Sequence, residues 1–244
     1  MNERSISQVL AVTAAILLGV VLILGLGVTG PDVIQGEVVR VLYVHPAVAW
    51  VAYMAFGITS FASVAWLRPK SRALWWDQVA GASAEIGVLF TFLALLTGSI
   101  WGRATWGVWW TWDARTTSTL LLFFLYIGVI ALRQVPQDRD TRARRSAVAS
   151  LLAFVNVPLV HFSVRWWRTL HQEASVLKED RTVFGLQIWT IVISVFAFSL
   201  VYFWLLMLRY RVARWEDAAA DGGLSDAIDA RRAEAARSSS VGVA

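Results

Sequence analysis

Six stretches of the chain are apolar almost without interruption: 9–28, 42–66, 79–99, 116–132, 146–161 and 184–208. Each reaches or approaches the ~20 residues that an α-helix, rising ~1.5 Å per residue, needs to cross ~30 Å of hydrocarbon. A helix on the surface of a soluble protein would carry charge along its outer face. Within these six segments Glu85 is the one charged side chain. The pattern predicts an all-α integral membrane protein: a bundle of six transmembrane helices spanning 1–215, followed by a polar tail, 216–244. The first segment is too long for a typical signal-peptide core and lacks a clear small-residue cleavage site, so it reads as a retained helix. The tail is rich in Ala, Asp, Arg, Gly and Ser, which suits a short helix or partial disorder.

Composition agrees. Of 244 residues, 57% are hydrophobic and 16% charged, against the roughly 25% charged in a soluble domain. Cysteine is absent, which excludes disulfides, thiolate metal sites, iron–sulfur clusters and thioether attachment of a prosthetic group. The net charge of +5 and a pI near 10.1 raise the question of nucleic acid, but the distribution of charge answers it. The N-terminus, the 67–78 and 133–145 loops and the tail hold 15 of the 22 Lys and Arg, and the alternate loops hold 7. Basic residues favour the cytoplasmic side. Both termini are therefore expected in the cytoplasm, with loops 29–41, 100–115 and 163–183 facing outward.

The second outer loop has unusual chemistry. Between Trp101 and Asp113 lie five tryptophans, Trp101, Trp106, Trp109, Trp110 and Trp112, together with Gly102 and Gly107. An interfacial aromatic belt accounts for one or two indoles per helix end. Five in thirteen residues suit a platform for a flat aromatic ligand, because stacking adds ~0.5–1.5 kcal/mol per ring pair beyond burial. The glycines let the backbone turn and approach closely. The three histidines, His45, His161 and His171, all fall on the same expected face, although the topology rests on Lys and Arg alone. Two neutral imidazoles beside an aromatic shelf are a donor pair for the axial positions of haem iron. His45 and His171 are the preferred pair, and without cysteine the ligand would be non-covalent haem b. His161 ends an apolar helix and reads as bonded to backbone or headgroup.

Asp113 precedes the fourth segment and suits an N-cap that also fixes the loop. Arg103, Arg115, Arg165 and Arg168 lie near the same place and could pair with haem propionates, or could simply face solvent or headgroups. Glu85 is costly in a membrane and calls for a function or a partner. Asn156 and Pro158 could bend the fifth segment or bond to a neighbour. The chain has no phosphate-binding Gly-x-x-x-x-Gly-Lys loop and no nucleophile–base constellation for hydrolysis, so it does not read as an enzyme.

The run from Trp101-Gly102 through Trp106-Gly107 and Trp109-Trp110 to Trp112-Asp113 resembles the WWD signature of haem-handling membrane proteins. The six-span size, the 90–115 region and the 160–172 region, with its Trp-Trp-Arg-Thr-Leu-His-Gln, are similar to the CcmC family of cytochrome c biogenesis proteins rather than to the longer CcmF and CcsA. The likeness runs from about residue 28 to 207. It implies a bacterial inner-membrane protein whose WWD segment faces the periplasm, with His45 and His171 as axial ligands and the Trp101–Asp113 segment beneath the haem. It also implies partners: ABC-transporter subunits CcmA and CcmB, the small protein CcmD, and the chaperone CcmE, which receives haem. One departure is that His45 directly precedes Pro46, which disfavours α geometry at the histidine.

Three other readings compete. A b-type cytochrome would hold haem between histidines buried in facing helices. A small-solute or haem transporter would show broken helices and midplane polar groups. A scaffold would tolerate Phe or Leu in place of the tryptophans.

Overall fold

The computed structural model describes residues 2–32, 35–136, 138–171 and 183–241; in the last helix, side chains are described to 223 and at 229, 231 and 232. Among the described residues seven α-helices follow in order: α1 (Glu3–Ile23), α2 (His45–Leu67), α3 (Leu74–Trp106), α4 (Ala114–Gln134), α5 (Arg139–Phe154), α6 (Asn156–Trp166) and α7 (Leu186–Val241). A π-helical turn, Leu24–Val28, extends α1, and a 3₁₀ segment, Glu37–Tyr43, leads into α2. The helices form six membrane-length apolar spans, because α5 and α6 together make one. The protein is thus an all-α membrane protein of six spans.

The fifth span breaks where its sequence requires. Pro158 has no N–H to offer the carbonyl four residues earlier and its ring crowds that carbonyl, and Val155 separates α5 from α6 one turn before it. Asn156, at the break, donates to the Ser118 carbonyl of α4 at 2.8 Å. Asn156 thus bonds to a neighbouring helix and Pro158 marks the break.

The centre of the bundle is the α2–α3 pair. Gly87 makes the close approach possible, since a Cβ there would lie 2.4 Å from Cε1 of Phe56. Phe56 in turn stacks on Tyr126 of α4, with ring centroids 3.7 Å apart. Polar side chains add hydrogen bonds between helices: Ser83 Oγ lies 2.7 Å from both the Ala55 carbonyl of α2 and the Tyr202 hydroxyl of α7.

One end of the bundle is held by ions. Asp77, nearly fully buried, accepts from Arg133 at 2.6 Å and from Arg142 at 3.0 Å. Gln78 donates to Asp217 at 2.8 Å, and Arg139 pairs with Asp221 at 2.9 Å. These contacts join α3, α4, α5 and α7, and they use the arginines that set the expected cytoplasmic side. Glu85 has its partner nearby: Arg209 Nε and Nη2 reach its two oxygens at 2.5 and 2.9 Å. A bidentate guanidinium satisfies both carboxylate oxygens, so Glu85 joins α3 to α7.

Several helices run beyond their apolar segments, α3 and α7 among them. Helix α3 continues from residue 99 to Trp106, so the first half of the tryptophan run is helix and not loop. Falling hydropathy marks where lipid ends, whereas the helix ends where its backbone must turn. That happens at Gly107, whose φ of 77° and ψ of 1° form a left-handed cap. Helix α7 likewise continues past residue 208.

Candidate functional site

The opposite end of the bundle gathers the three histidines and the tryptophan run. His45 opens α2, with Pro46 in the first turn, where its missing N–H costs nothing. Its ring lies against the C-terminal part of α3. Nδ1 is 2.9 Å from Thr97 Oγ1, the Trp101 indole meets the ring edge-on at 5.6 Å, and a Cβ on Gly98 would come within 3.1 Å of Cε1. Residues 97, 98 and 101 share one helix face.

The segment after α3 builds the second half. Gly107 reverses the chain, and Arg103 donates to its carbonyl. Ser99 donates to the Trp109 carbonyl at 2.5 Å, drawing the loop back along the helix. Gly102 leaves room for this return, since a Cβ there would stand 3.3 Å from both the Trp106 ring and the Val108 carbonyl. Its close approach is to the protein's own loop.

Asp113 then does two things. Oδ1 accepts the Thr116 N–H at 2.9 Å, capping α4, and the Thr116 hydroxyl at 2.8 Å. Oδ2 accepts the Thr169 hydroxyl at 2.6 Å and faces Nδ1 of His171 at 2.7 Å. Burial opposes its charge, but the Thr169 hydroxyl, the Thr116 N–H, His171 and the Thr116 hydroxyl outweigh that and hold the carboxyl well below the usual carboxylate range. Thr169 also accepts the His171 backbone N–H at 2.9 Å. The Trp106 indole meets the His171 ring edge-on at 4.8 Å.

These bonds fix the chemistry of both rings. An ionised carboxylate only accepts, so Nδ1 of His171 carries a proton, and the neutral form of the ring has its lone pair on Nε2. The Thr97 hydroxyl spends its proton on the Leu93 carbonyl at 2.8 Å. With the proton there, the oxygen accepts from Nδ1 of His45, and the neutral ring in that tautomer has Nε2 as its donor atom. His45 lies within electrostatic reach of both His171 and Arg115.

The remaining predicted residues divide. Trp101 and Trp106 each serve one histidine. Trp110 and Trp112 pack edge-on at 5.5 Å, while Trp109 and Trp112 are 60% and 76% exposed and turn outward. Arg115 donates to the His161 carbonyl at 3.2 Å, and the His161 ring packs against Phe162 and Tyr53. Arg165 lies over the Phe162 ring and Arg168 is exposed. Lys178 and Arg181, in the loop expected to face outward, lie outside the described residues. Among the described residues, Trp110 Nε1, Thr111 Oγ1 and Arg115 Nε are buried without a hydrogen-bond partner. Three unmatched polar atoms within six residues suit a carboxylate, because a buried donor left unpaired is costly.

Two imidazoles are too few to hold a free transition-metal ion, which draws on three or four protein ligands. No group of three candidate ligands occurs among the described residues. Two imidazoles do complete an iron whose other four positions are already filled by a macrocycle. The residues therefore fit a haem with anionic side groups. Thr97 and Thr169 were not legible beforehand, since a threonine in a helix or loop has no spacing that marks it.

Comparison with known proteins gives the relationship. The family model described as Heme exporter protein C, CcmC, matches residues 2–221. The Heme exporter protein C of Haemophilus influenzae is 38% identical over 208 residues, covering 85% of this chain and 84% of that protein. The protein of the same description from Escherichia coli K12 is 38% identical over 207 residues, covering 83% and 81%. That from Bradyrhizobium diazoefficiens is 45% identical over 150 residues, covering 60% and 55%. With residues 2–221 of its 244 matched by the family model, this chain belongs to the CcmC family.

Proposed function

We propose that this chain holds haem b without covalent attachment at the outer face of a bacterial inner membrane. It presents that haem to a periplasmic chaperone of the CcmE kind for maturation of c-type cytochromes. The observation that carries the reading is the shared arrangement of His45 and His171. Each ring commits Nδ1 to a partner within the protein, Thr97 in one case and Asp113 in the other, and keeps Nε2 as a donor. Metal-ligating histidines are held in this way.

The other residues complete the seat. Trp101 and Trp106 wall the rings. The unpaired atoms of Trp110, Thr111 and Arg115 would take a propionate, while Arg103 holds the Gly107 turn. Exposed Trp109 and Trp112 leave an apolar rim facing outward, where a chaperone reaches the ligand's edge. The chain supplies ligation and orientation, and the haem supplies the reactivity. Energy for release comes from partners, namely ABC-transporter subunits of the CcmA and CcmB kind, with a CcmD-like small protein. The ion-clamped end, with both termini, faces the cytoplasm. A b-type electron carrier fits less well, because His45 sits at a helix start and His171 lies outside any helix.

The test is purification from haem-replete cells. A Soret band in the wild type that is lost in His45→Ala and in His171→Ala supports the reading. A wild-type protein without the band, or variants that keep it unchanged, refutes it.

A further inference from the structure

Resting on that reading, we infer that the two histidines are unequal ligands, and that Thr97 and Gly98 set His45 up as the one that lets go first. The two rings differ in what stands behind Nδ1. His171 faces an ionised carboxylate at 2.7 Å. That carboxylate is fixed by the Thr169 hydroxyl, the Thr116 N–H and the Thr116 hydroxyl, at 2.6, 2.9 and 2.8 Å. His45 faces a neutral hydroxyl oxygen at 2.9 Å, whose own proton is committed to the Leu93 carbonyl. A charged acceptor strengthens the hydrogen bond about twofold over a neutral one, and a stronger acceptor on Nδ1 makes the opposite nitrogen a better donor. The bond from iron to His171 is therefore the stronger of the two.

Gly98 adds position to this electronic difference. The His45 ring lies so close to the α3 backbone that a Cβ at residue 98 would stand 3.1, 3.7 and 3.9 Å from Cε1, Nδ1 and Nε2. With Trp101 edge-on to the same ring, α3 offers His45 one narrow seat, and the Thr97 hydroxyl selects its orientation. Thr97 is a positioning residue: it acts on the iron through His45. A carrier that must surrender its ligand needs one coordination position that opens before the other. The side chains behind the rings assign that position to His45.

Carbon monoxide binding to the reduced, haem-loaded protein tests this, because the gas must displace one axial histidine. Thr97→Val keeps the side chain's shape and removes its oxygen, and Thr97→Ser restores the oxygen. The apparent affinity for carbon monoxide is expected to rise about ten- to a hundredfold in Thr97→Val, the usual scale for losing an outer partner of a ligand, and to return to the wild-type value in Thr97→Ser. A second readout does not depend on affinity. After photolysis, the iron–histidine stretch of the wild-type protein reports the retained ligand, and it is expected to shift in Asp113→Asn and not in Thr97→Val.

Equal carbon monoxide affinity in Thr97→Val and wild type overturns the inference. So does a stretch that follows Thr97 and ignores Asp113. Failure of the underlying reading looks different: the wild-type protein would then lack a low-spin, two-histidine haem spectrum before any gas is added.

Discussion

Nδ1 of His171 lies 2.7 Å from Oδ2 of Asp113, although 58 residues separate them in the chain. The same carboxylate caps α4 through the Thr116 N–H. The helix start and the orientation of a candidate ligand thus depend on one side chain, and the two roles can be separated by substitution.

Asp113→Asn keeps an N-cap, since Asn caps about as well as Asp, but removes the charge behind His171. Thermal stability in detergent should fall, though by less than in Asp113→Ala, while haem affinity falls about ten- to a hundredfold. Asp113→Ala should lose the same affinity and also about 1 kcal/mol of stability with the cap. Haem titration beside thermal unfolding separates the outcomes. Unaltered affinity in Asp113→Asn would mean that the carboxylate only caps.

The depressed pKa of Asp113 sets the sign of its pH dependence. A carboxyl whose folded pKa lies below its unfolded value, about 3.9 for Asp, contributes stability that is fully present above the unfolded pKa and is lost as pH falls through the folded one. Asp113 should therefore stay ionised down through the ordinary carboxylate range. Infrared difference spectra between wild type and Asp113→Asn should show no protonated carboxyl band from residue 113 at about pH 4. Such a band at that pH would contradict the hydrogen-bonded geometry.

Two glycines give a stability contrast away from the site. Gly87→Ala would drive a methyl against Phe56, which is stacked on Tyr126 and has little room to yield. A cost of about 1–3 kcal/mol is expected, as for an overfilled core. Gly128 has nothing within 4 Å of its would-be Cβ, so Gly128→Ala should be neutral or slightly stabilising. Denaturant-induced unfolding of the two variants makes the comparison, and similar losses in both would argue against the α2–α3 packing described.

Much of this molecule is readable from residue order because lipid imposes strong patterning. Six apolar runs became six spans, and the histidines near 45, 161 and 171 came to one end together. Helix ends were less legible. Hydropathy falls at Arg103 and Thr105, yet α3 continues to the left-handed Gly107, because its backbone hydrogen bonds do not require hydrocarbon around them. The residues behind the rings were not legible at all. Thr97 looks like any polar residue in an apolar helix, and its role depends on a ring 52 positions away. Asp113 was legible as a cap, since capping is local, but its contact with His171 depends on how the chain after α6 returns.

On the proposed function, His45 and His171 supply two nitrogen ligands to one iron. Low-temperature electron paramagnetic resonance of the oxidised, haem-loaded protein reports this directly. The wild type should give a low-spin signal of a haem with two imidazole ligands, replaced by a high-spin signal in His45→Ala and in His171→Ala. A low-spin, two-imidazole signal that persists in either variant would contradict the assignment.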